Sequence, residues 1–95
     1  VAAVIEISEL ATGLRVATVL HLAGSLRDRM MRDLNWDDFS CVMKPKIAGT
    51  CSLSRLPVHF NCVLFSSVTS LLGNLGQANY GAANGFMDAI AERDS

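Results

Sequence analysis

At 95 residues, with 51% hydrophobic, 18% charged and 6% aromatic side chains, the chain is too apolar for a disordered tail. Eight Lys and Arg against nine Asp and Glu leave a formal net charge of -1, which excludes the footprint of a nucleic-acid binder and the character of an acidic tail. The length allows one small domain, and a compact chain of this size buries only about 60–65% of its extended-chain surface, so its core is thin.

In chain order, Val1 to Leu14 is ambiguous. Ala2, Val4, Ile5, Ile7, Leu10, Ala11 and Leu14 fit a helix closed by Gly13, and a strand over Val1 to Ile7 followed by a turn competes with it. Val16 to Leu22 is short, apolar and β-branched, and is closed by Ala23-Gly24-Ser25. That pattern suits a strand covered on both faces of a parallel sheet. Asn35 is a good N-cap, and Asp38 three residues later gives a relative of the capping box. Trp36, Phe39, Val42, Met43 and Ile47 then recur at helical spacing until Pro45 kinks or ends the helix nearby. Phe60 to Phe65 reads as a second strand and ends in Ser66-Ser67. Gln77 to Arg93 reads as an alanine-rich helix. Gly81 and Gly85 each cost it about 1 kcal/mol relative to Ala, which suggests a neighbour pressed against the backbone.

Strands alternating with helices indicate an α/β parallel sheet joined by right-handed crossovers. Two strands are too few for an independent sheet, so the chain reads as the second half of an open α/β domain. Its start and its end at Arg93-Asp94-Ser95 read as cuts from a longer chain, with no signal peptide. No apolar stretch reaches the roughly 18 residues of a membrane span. Cys41, Cys51 and Cys62, odd in number and without a CxxC, read as reduced thiols of an intracellular chain. Nine charged side chains lie between Arg27 and Lys46, and none between Leu56 and Met87. The neutral stretch is expected to sit inside something. The charged cluster reads as a solvated face, with contact to an acidic carrier protein as the lesser alternative.

Ligands of open α/β sheets bind beyond the carboxyl ends of the strands. Ala23-Gly24 and Ser66-Ser67 occupy those ends, and Tyr80 and Asn84, four residues apart, share one helix face. A serine, a tyrosine and a lysine around one cleft form a proton-donating site for a carbonyl. A phenol titrates near 10, and a nearby ammonium favours the phenolate. The phenol then protonates a carbonyl oxygen on which charge develops, and the serine holds that oxygen. Nothing in the set donates hydride, so a nicotinamide cofactor must.

Four runs carry a resemblance: Val19-Leu20-His21-Leu22-Ala23-Gly24, Pro45-Lys46-Ile47-Ala48-Gly49, Leu64-Phe65-Ser66-Ser67, and above all Gly76-Gln77-Ala78-Asn79-Tyr80-Gly81-Ala82-Ala83-Asn84-Gly85-Phe86-Met87-Asp88. Over Thr18 to Glu92 the chain resembles the ketoreductase domain of modular polyketide synthases and animal-type fatty acid synthases, a short-chain dehydrogenase/reductase with a Rossmann-like, doubly wound parallel sheet. The resemblance implies NADPH-dependent reduction of a β-ketoacyl thioester on an acyl carrier protein, in the cytoplasm, beside other synthase domains in one polypeptide. It implies Tyr80 as general acid and Ser67 as the carbonyl-orienting hydroxyl. Lys46 would hold the nicotinamide ribose and favour the ionised phenol, and Asn84 would take the place of a lysine in simpler reductases. Ala23 and Gly24 would line the cofactor through their backbone. Leu26-Arg27-Asp28 falls where many such domains carry Leu-Asp-Asp. Asp28, with no tryptophan in the loop before Tyr80, leans toward B-type reduction and the D-configured alcohol.

The chain also departs from the family. Arg55-Leu56-Pro57-Val58-His59 replaces a longer helix end and linker. The glycine-rich GxGxxG turn and a basic site for the NADPH 2′-phosphate are missing, so residues 1–95 are expected to be a C-terminal ketoreductase part that binds NADPH weakly alone. The alternative is a non-catalytic fragment that scaffolds its neighbours. His21 and His59 read as structural. Trp36, Phe39, Met30 and Met31 read as packing residues, and Gly81 and Gly85 as a site of close soluble packing.

Overall fold

The computed structural model describes residues 2–56 and 60–94. Val1, Ser95 and the Pro57-Val58-His59 portion of the expected linker, with the structural role assigned to His59, lie outside the described residues. Helix α1 (Ala2–Thr12) decides the ambiguous opening. Gly13 closes it in the left-handed region (φ +71), its N–H donating to Glu9 O at 2.9 Å.

Strand β1 (Thr18–His21) pairs in parallel with β2 (Asn61–Leu64), with Thr18 opposite Asn61 and His21 opposite Leu64. Both strands are shorter than their apolar runs. The bonds Asn61 N–H to Ala17 O and Phe65 N–H to His21 O carry the ladder just past each end.

Helix α2 (Trp36–Met43) starts where the cap predicts. Asn35 Oδ1 accepts from Asp38 N–H at 2.9 Å, and Asp38 Oδ2 accepts from Asn35 N–H at 3.2 Å. α2 ends at Met43, near Pro45 as expected, but the helical course does not stop there. Lacking an N–H, Pro45 sits in a widened π-type turn (Lys44–Ala48), and α3 (Gly49–Ser54) continues beyond it. The Lys46 carbonyl accepts from Thr50 Oγ1, and His21 Nε2 lies 3.4 Å from the same oxygen. His21 is buried there as the structural residue the sequence suggested.

Gly49 lies under that imidazole. A Cβ at this position would come within 2.8 Å of His21 Cε1. Gly49→Ala is therefore expected to lower stability by about 1–3 kcal/mol through overpacking, measured as a fall in the denaturation midpoint of the full-length protein.

A short helix absent from the sequence reading, α4 (Thr69–Leu72), follows β2. The last helix, α5 (Ala78–Asp94), buries Asn79, Ala83, Asn84 and Met87 on one face against α2 and α4. Gly81 meets the expectation of close approach, since a Cβ there would lie 3.2 Å from Thr69 O. Gly85 does not, having open space around it.

The fully buried apolar side chains are Val42, Ala83 and Met87. Trp36, Met30 and Met31 are exposed rather than packed, and Phe39 is half-buried. The neutral stretch is buried only in part: Asn79, Ala83, Asn84 and Met87 are inside, whereas Leu71 and Leu72 are each 84% exposed. Among the described residues one face of the two-stranded sheet, carrying Thr18, Leu20, Asn61 and Val63, is uncovered. The radius of gyration, 15.3 Å, exceeds the about 12 Å of a compact chain of this length.

Candidate functional site

The site lies where β1 and β2 end and α5 begins. The widened turn after Pro45 directs Lys46 inward, leaving it only 4% exposed, and its Nζ donates to Phe65 O at 3.0 Å. That carbonyl stands just before Ser66-Ser67, so the end of β2 fixes the amine. Nζ also sits 5.6 Å from the centroid of the Tyr80 ring, within cation–π range. Gly24 completes the packing around the amine, because a Cβ there would lie 3.3 Å from Lys46 Cε and 3.6 Å from Nζ. Ala23 and Gly24 are exposed, which leaves this backbone open to a ligand.

Tyr80 is half-buried in the first turn of α5. Its N–H donates to Asn79 Oδ1 and its carbonyl accepts from Asn84 Nδ2, both at 2.8 Å. Asn84 is fully buried, and its Oδ1 has no hydrogen-bond partner among the described residues. A buried acceptor without a donor is costly unless a water or ligand supplies one, and such groups concentrate at functional sites.

Ser67 stands at the start of the turn into α4. Its Oγ accepts from Thr69 N–H at 3.3 Å and from Thr69 Oγ1 at 3.1 Å. With both lone pairs engaged, its own hydrogen is the one left to give. Among the described residues no hydrogen bond joins the Ser67 and Tyr80 hydroxyls, so the structure brings together Lys46, Tyr80, Asn84 and Gly24, with Ser67 held on the adjacent turn. Asp28 accepts from Gln77 Nε2, just before α5, its carboxylate oxygens 3.2 and 3.3 Å away.

Several supporting residues escaped sequence reasoning. Ser66, which reads as a turn residue, donates to Asn84 O at 3.3 Å and ties β2 to α5. Ser70 links Ser67 O to the Asp88 carboxylate. Asp38 does more than cap α2: buried to 1% exposure, it pairs with Arg27 at 3.7 Å and Arg29 at 3.4 Å. The arginine-rich stretch is thus partly neutralised from below. Nothing in local spacing signals these contacts.

The fold, a parallel pair of strands crossed by helices with a tyrosine on the following helix, defines a partial Rossmann-like domain of the short-chain dehydrogenase/reductase kind. A short-chain dehydrogenase from Mycobacterium avium gives the same fold, with a TM-score of 0.71 at 24% identity over 94% of this chain and 35% of its own. The KR domain family matches residues 1–95, and the chain belongs to that family as a ketoreductase domain of the polyketide synthase kind. The 6-methylsalicylic acid synthase of Penicillium terrestre is 44% identical over 81 residues, 80% of this chain and 4% of the synthase. PlmKR1, the ketoreductase from the first module of phoslactomycin biosynthesis in Streptomyces sp. HK803, superposes with a TM-score of 0.85 at 34% identity, covering 97% of this chain and 22% of that one. The chain thus spans a small fraction of the length of the proteins it matches.

Proposed function

We propose that the chain forms the catalytic, C-terminal part of a ketoreductase domain in a polyketide synthase. The domain reduces a β-ketoacyl thioester, carried on an acyl carrier protein, to the β-hydroxyacyl thioester with NADPH. The observation that carries this reading is the buried ammonium of Lys46 beside the Tyr80 ring, beyond the carboxyl ends of the strands.

Each residue has a role its surroundings support. Tyr80 protonates the ketone oxygen as negative charge develops there. Ser67, already accepting twice from Thr69, donates its hydrogen to the same oxygen. Lys46 spends one of its three N–H donors on Phe65 O, leaving the others for ribose hydroxyls. Asn84 braces Tyr80 through its carbonyl. Asp28, held by Gln77, marks the substrate side and supports the B-type outcome. The open backbone of Ala23 and Gly24 suits the flat nicotinamide end of a dinucleotide. The cofactor, when bound, supplies the hydride. The sequence holds no glycine-rich phosphate turn, so the grip on the rest of the dinucleotide falls to another segment. Carrier protein and neighbouring synthase domains are the partners, in the cytoplasm; no helix among the described residues is long and apolar enough to cross a membrane.

The uncovered sheet face and the missing glycine-rich turn also favour a second reading, a non-catalytic part that scaffolds its neighbours. The two separate on turnover. Full-length protein supplied with a β-keto thioester and NADPH is expected to oxidise the dinucleotide and yield one hydroxyacyl product per dinucleotide consumed. No turnover with any β-keto thioester would sink the reductase and leave the scaffold.

A further inference from the structure

We infer that Asn79 is a positioning residue, whose buried amide locks the Tyr80 backbone to the loop after β1 (residues 22–35) so that loop and phenol move as one unit. The inference rests on the reductase reading above and concerns a residue that reading does not use. Asn79 is fully buried, and every hydrogen-bonding group of its side-chain amide is engaged. Its Nδ2 donates to Arg27 O at 2.9 Å and to Asp38 O at 3.1 Å, using both hydrogens. Its Oδ1 accepts from Tyr80 N–H at 2.8 Å. One side chain thus joins three pieces of backbone: the loop at Arg27, the first turn of α2 at Asp38, and the first turn of α5 at Tyr80.

Other contacts repeat the tie at the surface. Arg29 N–H donates to Gly76 O at 2.9 Å, where Gly76 turns in the left-handed region at φ +79. Gln77 Nε2 reaches the Asp28 carboxylate. The Gln77–Asp28 contact is solvent-exposed, whereas the Asn79 amide is shielded from water, where hydrogen bonds are stronger and a lost partner is not replaced. Below it, Asp38 caps α2 and pairs with Arg27 and Arg29, so the loop is held at the same two residues that flank Asp28. Asn79 therefore sets how far the phenol stands from whatever the loop holds. Lys46 reaches the site from the π-type turn and is held by Phe65 O, and Gly24 packs against it at the start of the loop, three residues before the Asn79 contact at Arg27, so the amine side has its own anchor.

The test is steady-state kinetics of the full-length protein carrying Asn79→Asp or Asn79→Ser, with Tyr80→Phe alongside. Asn79→Asp keeps the shape and the acceptor for Tyr80 N–H but sets a second oxygen against two carbonyls. Asn79→Ser keeps one short hydroxyl. Turnover, counted per molecule competent to bind NADPH, is expected to fall about 10- to 100-fold in Asn79→Asp and less in Asn79→Ser, as for a displacement of the order of 1 Å. The KM for NADPH is expected to stay within about twofold of the unmodified protein, because the amine side is untouched. Unchanged turnover, or a KM that rises in step with the fall in kcat, overturns the inference. Failure of both variants to fold overturns it too, since the amide would then serve folding alone. Full turnover in Tyr80→Phe would instead remove the reductase reading, whereas a dead Tyr80→Phe beside a normal Asn79→Asp removes only the positioning role.

Discussion

Tyr80→Phe in the full-length protein is expected to cut NADPH-dependent reduction of a β-keto thioester by on the order of 10³-fold, with the circular dichroism spectrum and melting temperature unchanged. The substitution deletes one oxygen atom and keeps the ring over which Lys46 Nζ sits at 5.6 Å. The hydrogen bonds that fix the residue are made by its backbone: the N–H to Asn79 Oδ1 and the carbonyl from Asn84 Nδ2. Both survive the change, so a loss of turnover in a normally melting variant belongs to the hydroxyl. On the reading proposed above, Ser67 is expected still to donate to the ketone oxygen in that variant, leaving residual polarisation but no proton donor of the right geometry. Turnover within a few-fold of the unmodified protein would remove the phenol from the chemistry.

Lys46→Met is expected to act nearly as strongly, with turnover down about 10²-fold or more and the KM for NADPH raised. Methionine matches the length of the stem but carries no charge and no donor. At 4% exposure the amine is shielded from water, so its charge acts on the Tyr80 ring with little screening. Removing it also leaves Phe65 O without its donor, a loss of about 1–3 kcal/mol in stability that a melting curve reads separately from kinetics. Lys46→Arg is not expected to restore activity. Gly24 already stands so close that even a Cβ would press on the lysine stem, and a planar guanidinium needs more room than the ammonium it replaces. Unchanged kinetics in Lys46→Met would return Lys46 to a structural role.

Much of the fold is legible locally. The Asn35/Asp38 cap pair fixes the start of α2 by contacts within four residues, and it forms as the pattern demands. The two short apolar runs become strands, and Gly13 ends α1 because only glycine adopts its left-handed geometry without strain. Pro45 is the instructive intermediate case. Sequence registers the missing N–H, but whether a helix stops, kinks or widens depends on what donates to the freed carbonyl. Here Ser25 Oγ donates to Cys41 O at 2.8 Å, one turn before Pro45, and the helical course continues through the widened turn into α3. Trp36, Met30 and Met31 look apolar enough for a core, and no local pattern says that the surface they would cover is uncovered in these 95 residues.

The site divides along the same line. Residue types and their spacing by themselves determined that Tyr80 and Asn84 share a helix face, that Ser67 closes a strand, and that Lys46 follows a proline in a motif of one family. Helical and strand periodicity act over a few residues and are written in the chain. Which groups meet was decided only in three dimensions, by the parallel pairing of β1 with β2 and the packing of α5 on α2. The pairing carries the Lys46 amine to Phe65 O, while the packing of α5 on α2 brings the Asn79 amide to Arg27 and Asp38 and leaves Asn84 Oδ1 buried without a partner among the described residues. Such contacts span 19 to 52 residues of sequence, and their geometry follows from packing and shielding from water, neither of which any short stretch of chain encodes alone.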